Sequence, residues 1–184
     1  YAASGVGIVE LEQAQYQQAA RTFEASVGIM DRLTAADPGN RAYQDLMQEA
    51  LAYYSDALDR AGKLDLAIQQ RERQLHLLAP FLAQDHPDAE LRRNAMIANM
   101  ALSHLRFRKG ETGRGLDDAV VAATLGQQLV ELEPGGAGWM GQSSRTLLNL
   151  AQLQLRAGEI SKARETTANG CNLSDRFTAR DSTV

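Results

Sequence analysis

The chain has 184 residues, 44% of them hydrophobic, 23% charged and 5% aromatic, a balance that suits a folded domain and is too apolar for a disordered segment. A formal net charge of −4 gives no electrostatic reason to expect nucleic acid or an anionic membrane as partner. The single cysteine, Cys171, excludes an intrachain disulfide and a zinc site built on thiolates, and no apolar run is long enough to span a bilayer. The opening Tyr1-Ala2-Ala3-Ser4 is neither a methionine start nor a basic signal segment, so the chain reads as an excised piece of a longer protein; a cytoplasmic location is expected, with an extracytoplasmic segment of a membrane protein as the alternative.

In chain order, apolar periodicity predicts helices over 2–13, 16–35, 41–60, 64–84, 88–109, 115–132, 137–157 and 160–178. In the third, Tyr43, Met47, Ala50, Tyr54 and Ala57 form one stripe. In the fourth, Leu64, Ala67, Ile68, Leu75 and Leu78 share a face, and Pro80 should kink or end the helix because it lacks an amide donor. The fifth repeats the third with Leu91, Ala95, Ala98, Leu102 and Leu105. No segment shows the two-residue alternation of a strand, so no sheet is expected.

Between these helices one phrase recurs: Glu12-Gln-Ala14-Gln-Tyr16, Arg60-Ala-Gly62-Lys-Leu64, Arg108-Lys-Gly110-Glu and Arg156-Ala-Gly158-Glu-Ile160. The step is 48 residues each time. The small residue at its centre suits a tight helix-to-helix turn, where glycine accepts positive φ at no steric cost. Three further rows keep the step: Tyr43, Leu91 and Trp139; Tyr54, Leu102 and Leu150; Ala57, Leu105 and Leu153. Each row predicts one buried packing layer. Pro38, Pro87 and Pro134 mark the boundaries, which gives one repeat domain over 1–184 with approximate repeats 1–38, 39–87, 88–134 and 135–184.

The turn phrases resemble the tetratricopeptide repeat (TPR), whose second helix follows a Gly-x-aromatic-x-x-Ala turn. Ala14-Gln-Tyr16-Gln-Gln-Ala19, Gly62-Lys-Leu64-Asp-Leu-Ala67 and Gly158-Glu-Ile160-Ser-Lys-Ala163 carry the likeness. The third copy reaches Leu116 and Ala119 only after an apparent insertion at 110–115, expected to bulge outward. The resemblance implies an all-α fold, a right-handed superhelical stack of about eight helices in antiparallel pairs (a TPR-like α-solenoid). The step is longer than the familiar repeat, and the segment from Leu33 to Leu46 is similar to long-repeat tails of bacterial multidomain signalling proteins. Asn99, Arg106 and Gln154 stand where that family buries apolar groups, and are expected to pack loosely or find partners.

Reactive chemistry is sparse. His76, His86 and His104 show no metal-ligand spacing, and Cys171 on a predicted helix reads as a buried small hydrophobe. The glycines at 110–115 and 135–141 follow no strand and read as helix connections instead of phosphate loops. Trp139 is expected in the core by its row. We expect no enzyme activity, no metal and no cofactor.

The family's inner wall, built from first helices, is its usual peptide site. Projected here, that face carries Tyr53, Asp56 and Arg60, then Met100, His104, Phe107 and Arg108, then Asn149, Gln152 and Arg156. Aromatic and Met side chains supply contact area while Arg and Asn fix orientation, so a protein or peptide ligand is expected, with self-association left open. The arginines of the phrase also complement the helix dipole. The competing reading is a sensory module that takes a small ligand in the superhelix hollow and controls an attached effector domain.

Overall fold

The computed structural model describes residues 2–83, 88–133 and 137–181, which form eight helices and no strand. They are α1 (Ala2–Glu12), α2 (Tyr16–Ala36), α3 (Arg41–Arg60), α4 (Leu64–Leu82), α5 (Ala89–Lys109), α6 (Thr112–Leu132), α7 (Ala137–Arg156) and α8 (Ile160–Asp181). By internal contact the chain gathers into two compact units, residues 1–79 and 80–184. The division falls at Pro80, and α4 ends two residues later at Leu82. Pro87, Pro134 and His86 lie outside the described residues.

The four tight turns share one geometry. Ala14, Gly62, Gly110 and Gly158 all adopt left-handed backbone, with φ of 57°, 78°, 89° and 82°. The following amide then reaches back to a carbonyl five residues earlier: Gln15 to Glu10, Lys63 to Leu58, Glu111 to Arg106 and Glu159 to Gln154, at 2.8–2.9 Å. This is the Schellman closure, which satisfies carbonyls the helix end leaves unpaired. Ala14 alone adopts that backbone with a side chain. At helix starts, the Asn40 side chain accepts from the Tyr43 amide (3.3 Å) and Asp88 from the Glu90 amide (2.8 Å).

In the third turn there is no insertion and no outward bulge. Helix α6 begins at Thr112, so Thr112 takes the place of Tyr16, Leu64 and Ile160, while Gly115 takes that of Ala19, Ala67 and Ala163. The helix presses so close there that a Cβ on Gly115 would stand 2.9 Å from the Ser103 carbonyl oxygen. The alanine of the motif is replaced because this turn has no room for its methyl group.

In the first unit the core gathers Phe23, Leu51, Leu58 and Leu78, all fully buried. In the second, Ala119 and Ala123 of α6 cluster with Met140, Leu147, Leu150 and Leu153 of α7 and Leu173 of α8. Tyr54, Leu102 and Leu150 are buried, as are Ala57, Leu105 and Leu153, in agreement with the rows. In the remaining row Leu91 is buried, but Tyr43 and Trp139 are half-buried. Trp139 sits in the first turn of α7, where its indole N–H donates to Glu133 (2.8 Å), so its polar edge holds it at the rim.

At one cross-helix position the facing side chains hydrogen-bond in two repeats, with opposite chemistry. The Thr22 hydroxyl donates to the Glu10 carboxylate at 2.7 Å. Forty-eight-residue steps carry Glu10 to Arg106 and Thr22 to Asp118. There Arg106 Nη1 donates to both Asp118 carboxylate oxygens at 2.7 Å, both side chains being buried. Burial pushes the Asp118 carboxyl above its ordinary range, and the Arg106 guanidinium opposes this without cancelling it. Asn99 donates to the Ala95 carbonyl of its own helix (2.8 Å), whereas the Gln154 side-chain oxygen is buried without a hydrogen-bond partner.

Candidate functional site

A groove of ≈ 760 Å³ opens in the second unit along α5, α7 and α8. Met100 and His104 reach it from α5, and Leu148 and Gln152 reach it from the equivalent positions one step later on α7. This follows from helix geometry, since residues three and four apart share a face and neighbouring first helices present the same face. Asn149 lies buried at the seam between them. Its amide donates to the Ser103 hydroxyl (3.4 Å), which in turn donates to the Met100 carbonyl (2.7 Å).

The groove continues past Leu155 to the start of α8, where Ile160, Ala163, Arg164 and Thr167 complete the wall. Leu148, Leu155 and Ile160 are large apolar side chains left exposed. Arg145 and Arg164 stand at the groove with no ion pair to a described residue, and no carboxylate lines it. An apolar floor with adaptable amides and cationic margins can bind a segment through side-chain burial and orient it by hydrogen bonds.

The ten residues projected from the sequence separate into groups. Met100, His104, Asn149 and Gln152 line this groove together. Arg108 and Arg156 are exposed and do not line it. Phe107 turns away from it: the ring packs against the α6–α7 core beside Leu116 and Gly115, because the close approach of α6 leaves the ring a place there.

Tyr53, Asp56 and Arg60 belong to the first unit, where they line a smaller groove of ≈ 430 Å³ with Leu11, Glu12 and Tyr16. Tyr53 stacks on Phe23 with ring centroids 5.4 Å apart, and Asp56 accepts a 2.6 Å hydrogen bond from Arg71. In that unit burial also raises the Tyr54 phenol, with the neighbouring Glu24 carboxylate acting in the same direction.

Projection of first helices alone omitted the α8 wall and the exposed Leu155. The available signal was the turn phrase itself, since Leu155 and Ile160 flank Gly158 as Leu11 and Tyr16 flank Ala14.

Other reactive groups are dispersed. Cys171 is exposed on α8, contrary to the expected burial, because its register position faces away from α7. His76 and His104 are exposed, and among the described residues no three His, Cys, Asp or Glu side chains are grouped to hold a metal. Gly113 and Gly115 lie within α6, and Gly138 and Gly141 within α7, so these glycines are helical. At the α5–α6 turn, a hydrogen bond from Lys109 (2.8 Å) holds the Glu111 carboxyl below its ordinary range. Among the described residues no helix is long and apolar enough to cross a membrane.

No family model matches the sequence, and no curated protein does. Solved structures do match. The crystal structure of BtubC (BKLC) from P. vanneervenii aligns with a TM-score of 0.61 at 15% identity, over 88% of this chain and 57% of that one. This chain thus spans little more than half of that protein's length. A DHF58 filament aligns with a TM-score of 0.60 at 17% identity, over 98% and 93% of the two chains. A Podosopora anserina kinesin light chain-type protein with nearly identical TPR-like repeats aligns with a TM-score of 0.52 at 12% identity, over 95% and 94%. At these identities the likeness is one of fold, and the fold is established on both counts: this chain is an all-helical array of TPR-like antiparallel helix pairs.

Proposed function

We propose that the chain is a non-catalytic scaffold module that holds a protein or peptide segment in the groove of the second unit. The single observation behind this reading is the groove's composition: exposed Leu148 and Leu155 beside Met100, His104 and Gln152, with unpaired Arg145 and Arg164 at its margins. Its open side suits an extended segment, and the side chains suit one that alternates apolar and acidic residues. In this reading Tyr53, Asp56 and Arg60 form a separate contact site of the first unit, while Arg108 and Arg156 contribute only long-range attraction. A place in a bacterial signalling or regulatory protein is supported by the resemblance of the 33–46 segment to such tails.

The experiment is selection of a displayed random-peptide library on the immobilised chain, followed by titration of the enriched peptides. Met100→Asp with Gln152→Ala should weaken them at least tenfold, while Glu72→Ala on an exposed part of α4 should not. Absence of any enriched peptide, or equal affinity for the double variant, rejects the groove as a peptide site.

A further inference from the structure

A further groove of the second unit, of ≈ 510 Å³, has α7 as its floor and α6 and α8 as its walls. Its polar side chains are Gln127 and Glu131 of α6, Ser143 of α7, and Asn169, Asn172 and Arg176 of α8. Helical spacing gathers each wall on one face: Glu131 follows Gln127 by one turn, and Asn172 and Arg176 follow Asn169 in the same way. Buried Leu147 and Leu173 give the floor its apolar part.

Elements of this chain bound the groove on both sides, and its α8 wall is not a face that a following helix pair covers. One 48-residue step earlier, Val121 and Thr124 hold the positions of Asn169 and Asn172, and both stay exposed although α7 follows α6. The polarity is also particular to this place. One step back, Ala79, Ala83, Ala95 and Val121 stand where Gln127, Glu131, Ser143 and Asn169 stand here, so the repeat itself does not require polar groups at these positions.

Two features of the lining favour an occupant. The Ser143 side chain is fully buried, and its hydroxyl has no hydrogen-bond partner. It lies by Gly126 of α6, where a Cβ would stand 3.2 Å from the oxygen, so glycine leaves no side chain to close over it. A buried hydroxyl left unpaired is costly, and a polar atom that reaches the floor relieves that cost. The second feature is charge. Glu131 and Arg176 are exposed on opposite walls, and neither forms an ion pair with the other or with any described residue.

We infer that this groove binds a small zwitterion, a free α-amino acid or a dipeptide. Arg176 takes the carboxylate and Glu131 the ammonium group, each in a charge-assisted hydrogen bond, and the amides of Gln127, Asn169 and Asn172 take the remaining polar atoms. Leu147 and Leu173 underlie the ligand's hydrocarbon part. The volume lies within the range of small-molecule sites, and no described aromatic side chain lines the groove to stack on a nucleobase. Helix α7 presents Leu147 here and Leu148 to the peptide groove, so the two sites are distinct.

Isothermal titration calorimetry of the whole chain with each common amino acid and with alanyl-alanine tests this, and the preferred probe tells free amino acid from dipeptide. At least one should bind saturably, whereas its N-acetyl and its amide derivatives, each lacking one charge, should bind at least about tenfold more weakly. Arg176→Gln should remove the discrimination against the amide, and Glu131→Gln that against the N-acetyl form. Helical circular dichroism should stay unchanged in both, because the positions are exposed. Ser143→Ala should weaken binding at least about threefold while leaving the free chain as stable as before or more so, since it removes an unpartnered hydroxyl. A merely structural serine would show the reverse. No saturable binding of any of these probes at millimolar concentration, equal affinity for a derivative blocked at both ends, or binding unchanged by both charge variants overturns the inference. Met100→Asp with Gln152→Ala should leave zwitterion binding intact, which separates this result from that for peptide capture.

Discussion

The carbonyl oxygen of Ser103 lies 2.9 Å from the point where a Cβ on Gly115 would stand, so α5 and α6 meet backbone to backbone at that turn. A carbonyl within a helix cannot swing aside as the end of a flexible side chain can. Gly115→Ala should therefore destabilise the chain by about 1–3 kcal/mol through overpacking, despite alanine's better helix propensity. Gly28→Ala is the control: it is helical and has no neighbour within 4 Å of its Cβ, and it should stabilise by about 0.5–1 kcal/mol. Urea melts of the two variants should move in opposite directions.

The first turn offers a gain in stability. Ala14 adopts a left-handed φ of 57° where the three later turns have glycine. A left-handed L-residue costs about 1–2 kcal/mol, partly offset by the extra freedom glycine has in the unfolded chain. Ala14→Gly should raise stability by about 0.5–1 kcal/mol, and Gly62→Ala should lower it by about 1 kcal/mol. Paired thermal melts check the signs, and a loss of stability in Ala14→Gly would show that the turn is not strained.

The buried Arg106–Asp118 pair should be costly to break and inexpensive to replace. Removing Asp118 alone leaves a guanidinium largely out of water, so Asp118→Ala should cost about 3 kcal/mol. Arg106→Met combined with Asp118→Leu should cost much less, or even stabilise, because the raised Asp118 carboxyl indicates that burial outweighs the attraction. The pH dependence has a definite sign. A carboxyl with a folded value above its ordinary 3.8 contributes stability that is full below 3.8 and is lost as pH rises through the folded value. The stability of the native chain relative to Asp118→Asn should thus fall as pH rises above 3.8 and level off once the folded carboxyl has ionised. A relative stability that increases over that window would show the carboxyl to be lowered.

Leu102 and Leu153 should behave as core residues. They are 2% and 0% exposed, and truncation of either to alanine should cost about 2–5 kcal/mol, depending on how far the site collapses. Leu155→Ala, at a strongly exposed position only two residues from Leu153, should change stability by less than about 0.5 kcal/mol. Equal losses at Leu153 and Leu155 would place the helix face incorrectly.

The sequence by itself determined the helices, their pairing and the turn between partners. These depend on local causes: an apolar stripe at helical spacing, and a small residue where the backbone must take positive φ. It also determined the buried rows of Tyr54 and Ala57, because a strict 48-residue step repeats the packing position along with the residue type. Tertiary structure alone decided what covers each row. Val9 and Leu153 share a register, yet only Leu153 has a helix over it, just as Cys171 is bare where Ala123 is buried. The same dependence on neighbours placed Gly115 instead of Ala119 at the third turn, turned Phe107 into the core, paired Arg106 with Asp118 and gave the groove its α8 wall. Helix formation is settled within a few residues along the chain, whereas burial is settled by whatever element comes to lie alongside.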